Sequence, residues 1–212
     1  MNILHLVLVC LGSYLLGSIP FGVIISRQKG VDILSEGSKN PGATNVWRTL
    51  GWRSGLLVFV LDVLKGVIPA AVGVRLFGSV DYGVVTGLAA VAGHSFSPWL
   101  KFKGGKGIAT GFGILIGSTP LVALVAFTVF LIFLALTRYV SLASILGTLS
   151  ILGSAVWFGL PTFTLVAYSV FAAFVVYRHR SNIGRLLSGT ENKFSVTKKG
   201  SAEDSGKDKP EA

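Results

Sequence analysis

The chain has 212 residues, of which 51% are hydrophobic and only 13% charged, with a formal net charge of +10 and a mean hydropathy of +0.71. Soluble domains carry about 25% charged residues, so an ordinary water-soluble globule is excluded. The single cysteine, Cys10, lies in an apolar run and excludes a disulfide framework or a Cys-x2-Cys metal site. The basic residues stand beside hydrophobic stretches with no helix-turn-helix or RNP-like pattern, which argues against nucleic acid as a partner.

Apolar runs of about 18 or more residues read as membrane helices, because about 20 residues rising 1.5 Å each cross the hydrocarbon core. The sequence predicts an all-α integral membrane protein with seven spans, at residues 3–25, 55–76, 82–98, 107–119, 120–137, 140–158 and 161–177. The N-terminal run lacks a basic leader and an A-x-A cleavage site, so it reads as a retained first helix. Pro120 suits the first turn of a new helix, and Gly159–Leu160–Pro161 marks a similar break. Trp47, Trp52, Trp99 and Trp157 fall near span ends, where indoles favour the interface. The fourth span is short and reads as either tilted and half-buried or an incomplete crossing. Gly107/Gly111 and Gly113/Gly117 repeat the small-xxx-small spacing that lets helices approach closely.

Orientation follows from Lys and Arg. Loops 26–54 and 99–106, the turn at Arg138 and residues 178–212 hold 17 of the 19 basic residues. With seven spans these all fall on one face, which the positive-inside rule makes cytoplasmic. The N-terminus is then outside and the C-terminus cytoplasmic. Residues 1–187 form a single transmembrane domain in this reading. Residues 188–212 are polar and mixed in charge, and are expected to be a disordered tail without chemistry.

Three cytoplasmic segments are too polar to be mere connectors. In the first, residues 37–51, Asn40 and Pro41 read as a cap and first turn and Gly51 as a stop, so a short interfacial helix is expected. Thr44 and Arg48 share its face, with Asn45 beside them. Free N–H groups at its start, preceded by Ser38 and Lys39, suit an anion. The second segment, residues 93–110, is a glycine- and lysine-rich loop leading into a helix start, which again suits phosphate. It is not a Walker A loop, since Leu100 and Gly107 occupy positions that need glycine and Ser or Thr. The third runs from Arg178 to Arg185, where His179 and Asn182 lie one helical turn apart. For each segment the plainer alternative is a basic surface resting on anionic lipid.

Two smaller features stand beside these. Ser141 and Ser144 share a face at the start of the sixth span. Asp62 and Lys65, three apart inside the second span, form either a structural ion pair or the pair a proton-coupled transporter would use.

The stretches GSIPFG (17–22), GSKNPGATNVWRTLG (37–51), GHSFSPWLKFKGGKGIAT (93–110) and RHRSNIGRLLSGTE (178–191) together resemble the bacterial acyl-phosphate:glycerol-3-phosphate acyltransferases, in order over about residues 1–191. The resemblance implies a seven-helix inner-membrane enzyme of phospholipid synthesis. Its substrates would be acyl phosphate and glycerol 3-phosphate, and its product lysophosphatidic acid. No cofactor, metal, nucleic acid or obligate protein partner is implied, and membrane lipid is the surrounding medium. Carried over by position, the site residues are Ser38, Thr44, Asn45, Arg48, Lys106, Ser144, His179 and Asn182.

An acyl phosphate is a mixed anhydride with a good leaving group, so its transfer needs two positioned anions and charge stabilisation rather than a protein nucleophile. Ser38, Arg48 and Lys106, with loop N–H groups, are expected to hold the acyl-phosphate phosphate. Ser144, His179 and Asn182 are expected to position glycerol 3-phosphate. The base is either His179 or a substrate phosphate. A His-x4-Asp acyltransferase is excluded, because Cys10, Trp99 and Gly184 stand five residues after His5, His94 and His179. The alternative from another class is a small anion transporter or channel with a basic vestibule, though the sequence shows no internal repeat.

Overall fold

The computed structural model describes residues 3–194. Among them are ten α-helices, one 3-10 turn at Pro98–Leu100 and no strand. The helices are α1 (Ile3–Ser18), α2 (Phe21–Arg27), α3 (Ala43–Leu50), α4 (Trp52–Phe77), α5 (Val80–Ser95), α6 (Ile108–Ser118), α7 (Pro120–Thr137), α8 (Val140–Trp157), α9 (Thr162–Arg178) and α10 (Arg180–Leu187).

Each expected span has a helical counterpart, but their lengths differ. The α1–α2 run, α4, α7 and α8 are long and apolar enough to cross a membrane, and α9 with α10 joins them if that pair, bent by 57°, is one span. α5, at 16 residues, and α6, at 11, are shorter than that requirement. The first run is also broken at Ile19–Pro20, where proline cannot continue the ladder. There the Ile19 carbonyl accepts a hydrogen bond from Lys65 Nζ at 3.1 Å. The short interfacial helix starts at Ala43, two residues later than Asn40–Pro41 suggested. Gly42 is its extended N-cap, and Asn40 Oδ1 instead accepts from the Gly42 N–H at 2.9 Å, closing a turn ahead of the helix. Gly51, with φ +86°, ends it as expected.

α4 is the central element, packed against α1, α2, α3, α5 and α6. Helices in lipid gain little from apolar burial between them, so close van der Waals contact has to hold the bundle. Glycines provide it. A Cβ on Gly66 of α4 would overlap the Thr110 carbonyl, and one on Gly113 of α6 would overlap the Val63 carbonyl. Gly117 continues that stripe, where a Cβ would stand 2.7 Å from the Val67 carbonyl. Gly111 accommodates the Phe171 ring. Gly107 departs from the expected packing stripe: it is the N-cap of α6 at φ +81°, chosen for its backbone.

Two apolar clusters frame the site. One gathers Val84, Val91, Ile114, Leu115, Tyr168 and Phe171 around α6. The other, Val23, Ile25, Ile33, Val46 and Val58, seats the loop after α2 on α3 and α4. The tail expected to be disordered lies outside the described residues from 195 onward. Residues 188–194, assigned to it from sequence, are ordered against the body of the protein and are described below.

The α4–α6 contact carries the first prediction. Gly113→Val should cost about 1–3 kcal/mol or more, as overpacking does, and lower the thermal midpoint in detergent. Gly153→Ala in α8, where nothing stands within 4 Å of an added Cβ, should leave the midpoint unchanged or raised.

Candidate active site

Asn45, on α3, is 2% exposed and sits inside the loop that precedes it. Its amide nitrogen donates to the carbonyls of Ile33 (3.2 Å), Glu36 (3.0 Å) and Asn40 (3.0 Å). Its Oδ1 accepts from the Ser38 N–H at 2.9 Å. The loop is thereby wound around one side chain, with Gly37 and Lys39 in the left-handed region at φ +56° and +55°. Asn45, expected among the substrate contacts, has both polar atoms committed to shaping the loop that presents Ser38.

The glycine loop is held just as firmly. The N–H groups of Gly104 and Gly105 donate to the carbonyls of Ser95 (3.0 Å) and His94 (3.1 Å). Arg178 Nη2 donates to the carbonyls of Gly104 (2.7 Å) and Gly105 (2.8 Å). Gly107 then turns the chain into α6, whose first N–H groups have no partner in the preceding turn. Between these fixed points Lys106 extends to donate to Asn182 Oδ1.

His179 lies at the corner where α9 gives way to α10. Its Nδ1 stands 2.8 Å from the Val175 carbonyl, and a carbonyl only accepts, so Nδ1 carries the hydrogen and Nε2 is the free acceptor. Burial, then the nearby charge of Lys106, pushes the imidazole down to about 4. Burial brings Lys106 down to about 8, with the Glu191 carboxylate opposing that shift and Arg185, Arg178 and Arg48 adding to it. Burial also lowers Arg48.

The residue that unites these parts is Glu191, which sequence reasoning placed in a tail without chemistry. Gly189, at φ +70°, reverses the chain after α10, and the N–H of Glu191 donates to the Arg185 carbonyl at 3.1 Å. The carboxylate then accepts from Ser141 Oγ (2.8 Å) and Asn182 Nδ2 (2.7 Å) on Oε1, and from Arg185 Nε (2.7 Å) on Oε2. Burial alone would raise its pKa, but these donors outweigh burial and hold it below the ordinary value. The chain continues beneath α3, where Arg48 Nη2 donates to the Asn192 carbonyl at 3.0 Å. Phe194 packs on Trp47 with ring centroids 5.2 Å apart. Polar composition says only that this segment has no core of its own. The signal that it docks was the single acid at the end of an otherwise basic motif.

All eight expected residues, Ser38, Thr44, Asn45, Arg48, Lys106, Ser144, His179 and Asn182, line one cavity of about 690 Å³. Six basic side chains and two acidic ones, Asp62 and Glu191, face it. The surplus of four positive charges suits two phosphate groups, each carrying about −1.5 to −2. At Phe59, Ile108, Phe130 and Ser144 the cavity meets an apolar groove of about 80 Å³ between α6, α7 and α8. Ser141 and Ser144 therefore part company: Ser141 braces Glu191, and Ser144 stands where polar cavity and groove join. His94, Arg178 and Arg185 also line the cavity, and sequence reasoning assigned them no role. Among the described residues, no group of three or more His, Cys, Asp or Glu is placed to hold a metal.

The profile of the family described as glycerol-3-phosphate acyltransferase matches residues 7–189. The glycerol-3-phosphate acyltransferase of Aquifex aeolicus (strain VF5) is 48% identical over 184 residues, covering 86% of this chain and 95% of the relative. That of Desulforudis audaxviator (strain MP104C) is 46% identical over 205 residues, covering 93% and 100%. The crystal structure of PlsY, an integral membrane glycerol 3-phosphate acyltransferase, in its glycerol 3-phosphate form superposes with a TM-score of 0.87 at 46% identity, covering 91% of this chain and 96% of that one. Its lysophosphatidic acid form gives 0.85 over the same shares. With four or five apolar spans among the described residues, the chain is a multi-pass membrane protein, and it belongs to the glycerol-3-phosphate acyltransferase family.

Proposed function

We propose that this protein transfers an acyl chain from acyl phosphate to the sn-1 hydroxyl of glycerol 3-phosphate, giving lysophosphatidic acid and inorganic phosphate. The observation that carries this reading is one cavity with four surplus positive charges opening at Ser144 into an apolar groove. Two phosphates and one alkyl chain satisfy that shape together. A thioester donor would bring no phosphate to the carbon under attack and would leave the cationic cluster half used.

Ser38, Arg48, Lys106 and the N–H groups at the start of α6 bind the acyl-phosphate phosphate, supporting the charge it gains as it departs. Thr44 lines the same wall of the cavity. Ser144, His179 and Asn182 hold glycerol 3-phosphate. The hydroxyl oxygen attacks the carbonyl carbon, the carbon–oxygen bond to phosphate breaks, and phosphate leaves with the electron pair. His179, with Nε2 free, accepts the hydroxyl hydrogen bond and aims it. At about 4 the imidazole is a weaker base than the phosphate becomes as its bond to carbon breaks. The proton therefore ends on that phosphate, and no proton leaves the site.

We further infer a membrane topology of seven passages: the α1–α2 run, α4, α5, α6, α7, α8 and α9. The N-terminus is outside and the cavity faces the cytoplasm of a bacterial inner membrane. Support comes from the sequence, where seven passages put 17 of the 19 basic residues on one side, from the six basic side chains that line the cavity, and from α6 being sheltered by α4, α5 and α7.

The direct test supplies purified protein with palmitoyl phosphate and glycerol 3-phosphate and follows inorganic phosphate, with palmitoyl coenzyme A in parallel. Release requiring both substrates, absent with the thioester and lost in the Arg48→Ala, Lys106→Ala double variant, is expected. No release with any donor would sink the reading. A pH series adds a second check. The Lys106 ammonium is charged below about 8 and neutral above it. So kcat/KM for acyl phosphate should fall up to tenfold per pH unit beyond that point, and Lys106→Arg should move the limb upward. A third concerns Glu191. Glu191→Ala leaves two buried donors, on Ser141 and Asn182, without an acceptor and frees the half-exposed Arg185, and should cost about 1–3 kcal/mol of stability. In the native protein that contribution is present above the usual carboxylate range and is lost as pH falls through the lowered pKa. A thermal midpoint of Glu191→Ala equal to the parent at pH 7 would contradict the bracing role.

A further inference from the structure

The mechanism leaves one buried group unused. Asp62 and Lys65 on α4 are each 2% exposed, with Lys65 Nζ 2.8 Å from Asp62 Oδ1. Lys65 is anchored on the far side by the Ile19 carbonyl at the break between α1 and α2, and lies over the Phe21 ring at 5.6 Å. Asp62 Oδ1 is buried and makes no aligned hydrogen bond. It faces His94 Nδ1 at 3.9 Å, and both Asp62 and His94 line the polar cavity.

The other edge of that imidazole meets the glycine loop. A Cβ on Gly105 would overlap Nε2, Cε1 and Cδ2 of His94 at once, and a Cβ on Gly104 would overlap the His94 carbonyl. The His94 ring and carbonyl therefore close over one side of the loop, and Arg178 holds its carbonyls. The next residue is Lys106. A carboxylate fixed in place by Lys65 attracts the Nδ1–H edge of the ring, and this turns the Nε2 edge onto Gly105. In a buried, poorly solvated setting such an attraction acts at longer range than it would in water.

We propose that Asp62 and His94 are positioning residues for the phosphate-binding loop 104–107: Asp62, held by Lys65, sets the His94 ring, and the ring sets the height of Gly105 and so the reach of Lys106. This rests on the reading of that loop as the acyl-phosphate site. Neither residue touches a reacting atom. The ion pair inside the membrane body thus serves the loop rather than a translocated proton, and the absence of a side chain at Gly105 is explained by what stands over it.

The test is a double-mutant cycle on phosphate release, joined to amide hydrogen exchange in detergent. Gly105→Ala should lose roughly 100-fold in kcat/KM by clashing with the imidazole, and His94→Ala roughly tenfold. The double variant should recover roughly tenfold over Gly105→Ala, since removing the ring makes room for the methyl group; couplings of this size are usual for residues in contact. Asp62→Asn should raise KM for palmitoyl phosphate while leaving KM for glycerol 3-phosphate unchanged, and should speed exchange at 104–106 without changing it at 38–45. Should Asp62→Asn fail to fold, the Asp62→Asn, Lys65→Met variant removes both charges and reads the same exchange. Additive losses in the cycle, or unchanged exchange at 104–106, would overturn the proposal. If the parent protein shows no acyl-phosphate turnover at all, the donor assignment falls and the exchange arm alone decides the positioning role.

Discussion

Everything in the site is referenced to the backbone contact between α4 and α6. At 11 residues, α6 spans only about 16 Å, roughly half of a hydrocarbon core of about 30 Å. Such a helix cannot choose its own depth by matching the bilayer. Its depth is chosen by Gly66 and Gly113, which bring two helix backbones together where any side chain would overlap a carbonyl. Once α6 is placed, its starting N–H groups, Gly107 and Lys106 are placed too. The rest of the cationic surface is arranged to meet them.

A cavity with four surplus positive charges repels itself, and two side chains in it are displaced first by burial, with neighbouring cations adding to the shift. Lys106 and His179 both shift toward losing a proton, the direction expected of groups buried among cations. The protein tolerates this because Glu191 gathers Asn182, Arg185 and Ser141 onto one carboxylate. In the proposed reaction the arriving phosphates relieve the same repulsion, so affinity and charge relief are one effect. Preorganised charge of this kind needs no rearrangement when the leaving group develops its own.

Much of this was legible in the residues. The apolar runs located all the long helices, and glycine spacing marked Gly113 and Gly117 on the face of α6 that packs closely, without identifying α4 as its partner. The helix-start logic for residues 37–51 and 93–110 identified segments that do meet in one cavity. What escaped were matters of three-dimensional partnership. Asn45 reads as one more site residue beside Thr44 and Arg48, and only the path of the preceding loop claims its amide. His94 reads as an isolated histidine near a span end, because Asp62 and Gly105 reach it from other parts of the chain. Glu191 sits in a polar stretch whose composition forbids a core of its own, yet a single carboxylate facing donors already in place is enough to dock it. The fourth span was read as short and α6 is short, while the ends of α5 and α6 fall one to three residues from those expected: hydropathy records what a segment avoids, whereas packing decides where it ends.

The groove that joins the cavity at Ser144 is walled in part by α7, whose Leu124, Leu131 and Leu136 are largely exposed. An alkyl chain lying there is already beside the bilayer. In the proposed reaction the product needs no extraction through water, a passage that would cost about 0.8 kcal/mol for each methylene. The proposed reaction then gives a sideways departure, with the chain leaving along α7 and the phosphate head leaving through the polar cavity. In that reading the next enzyme to act on the product meets it within the plane of the membrane rather than in solution.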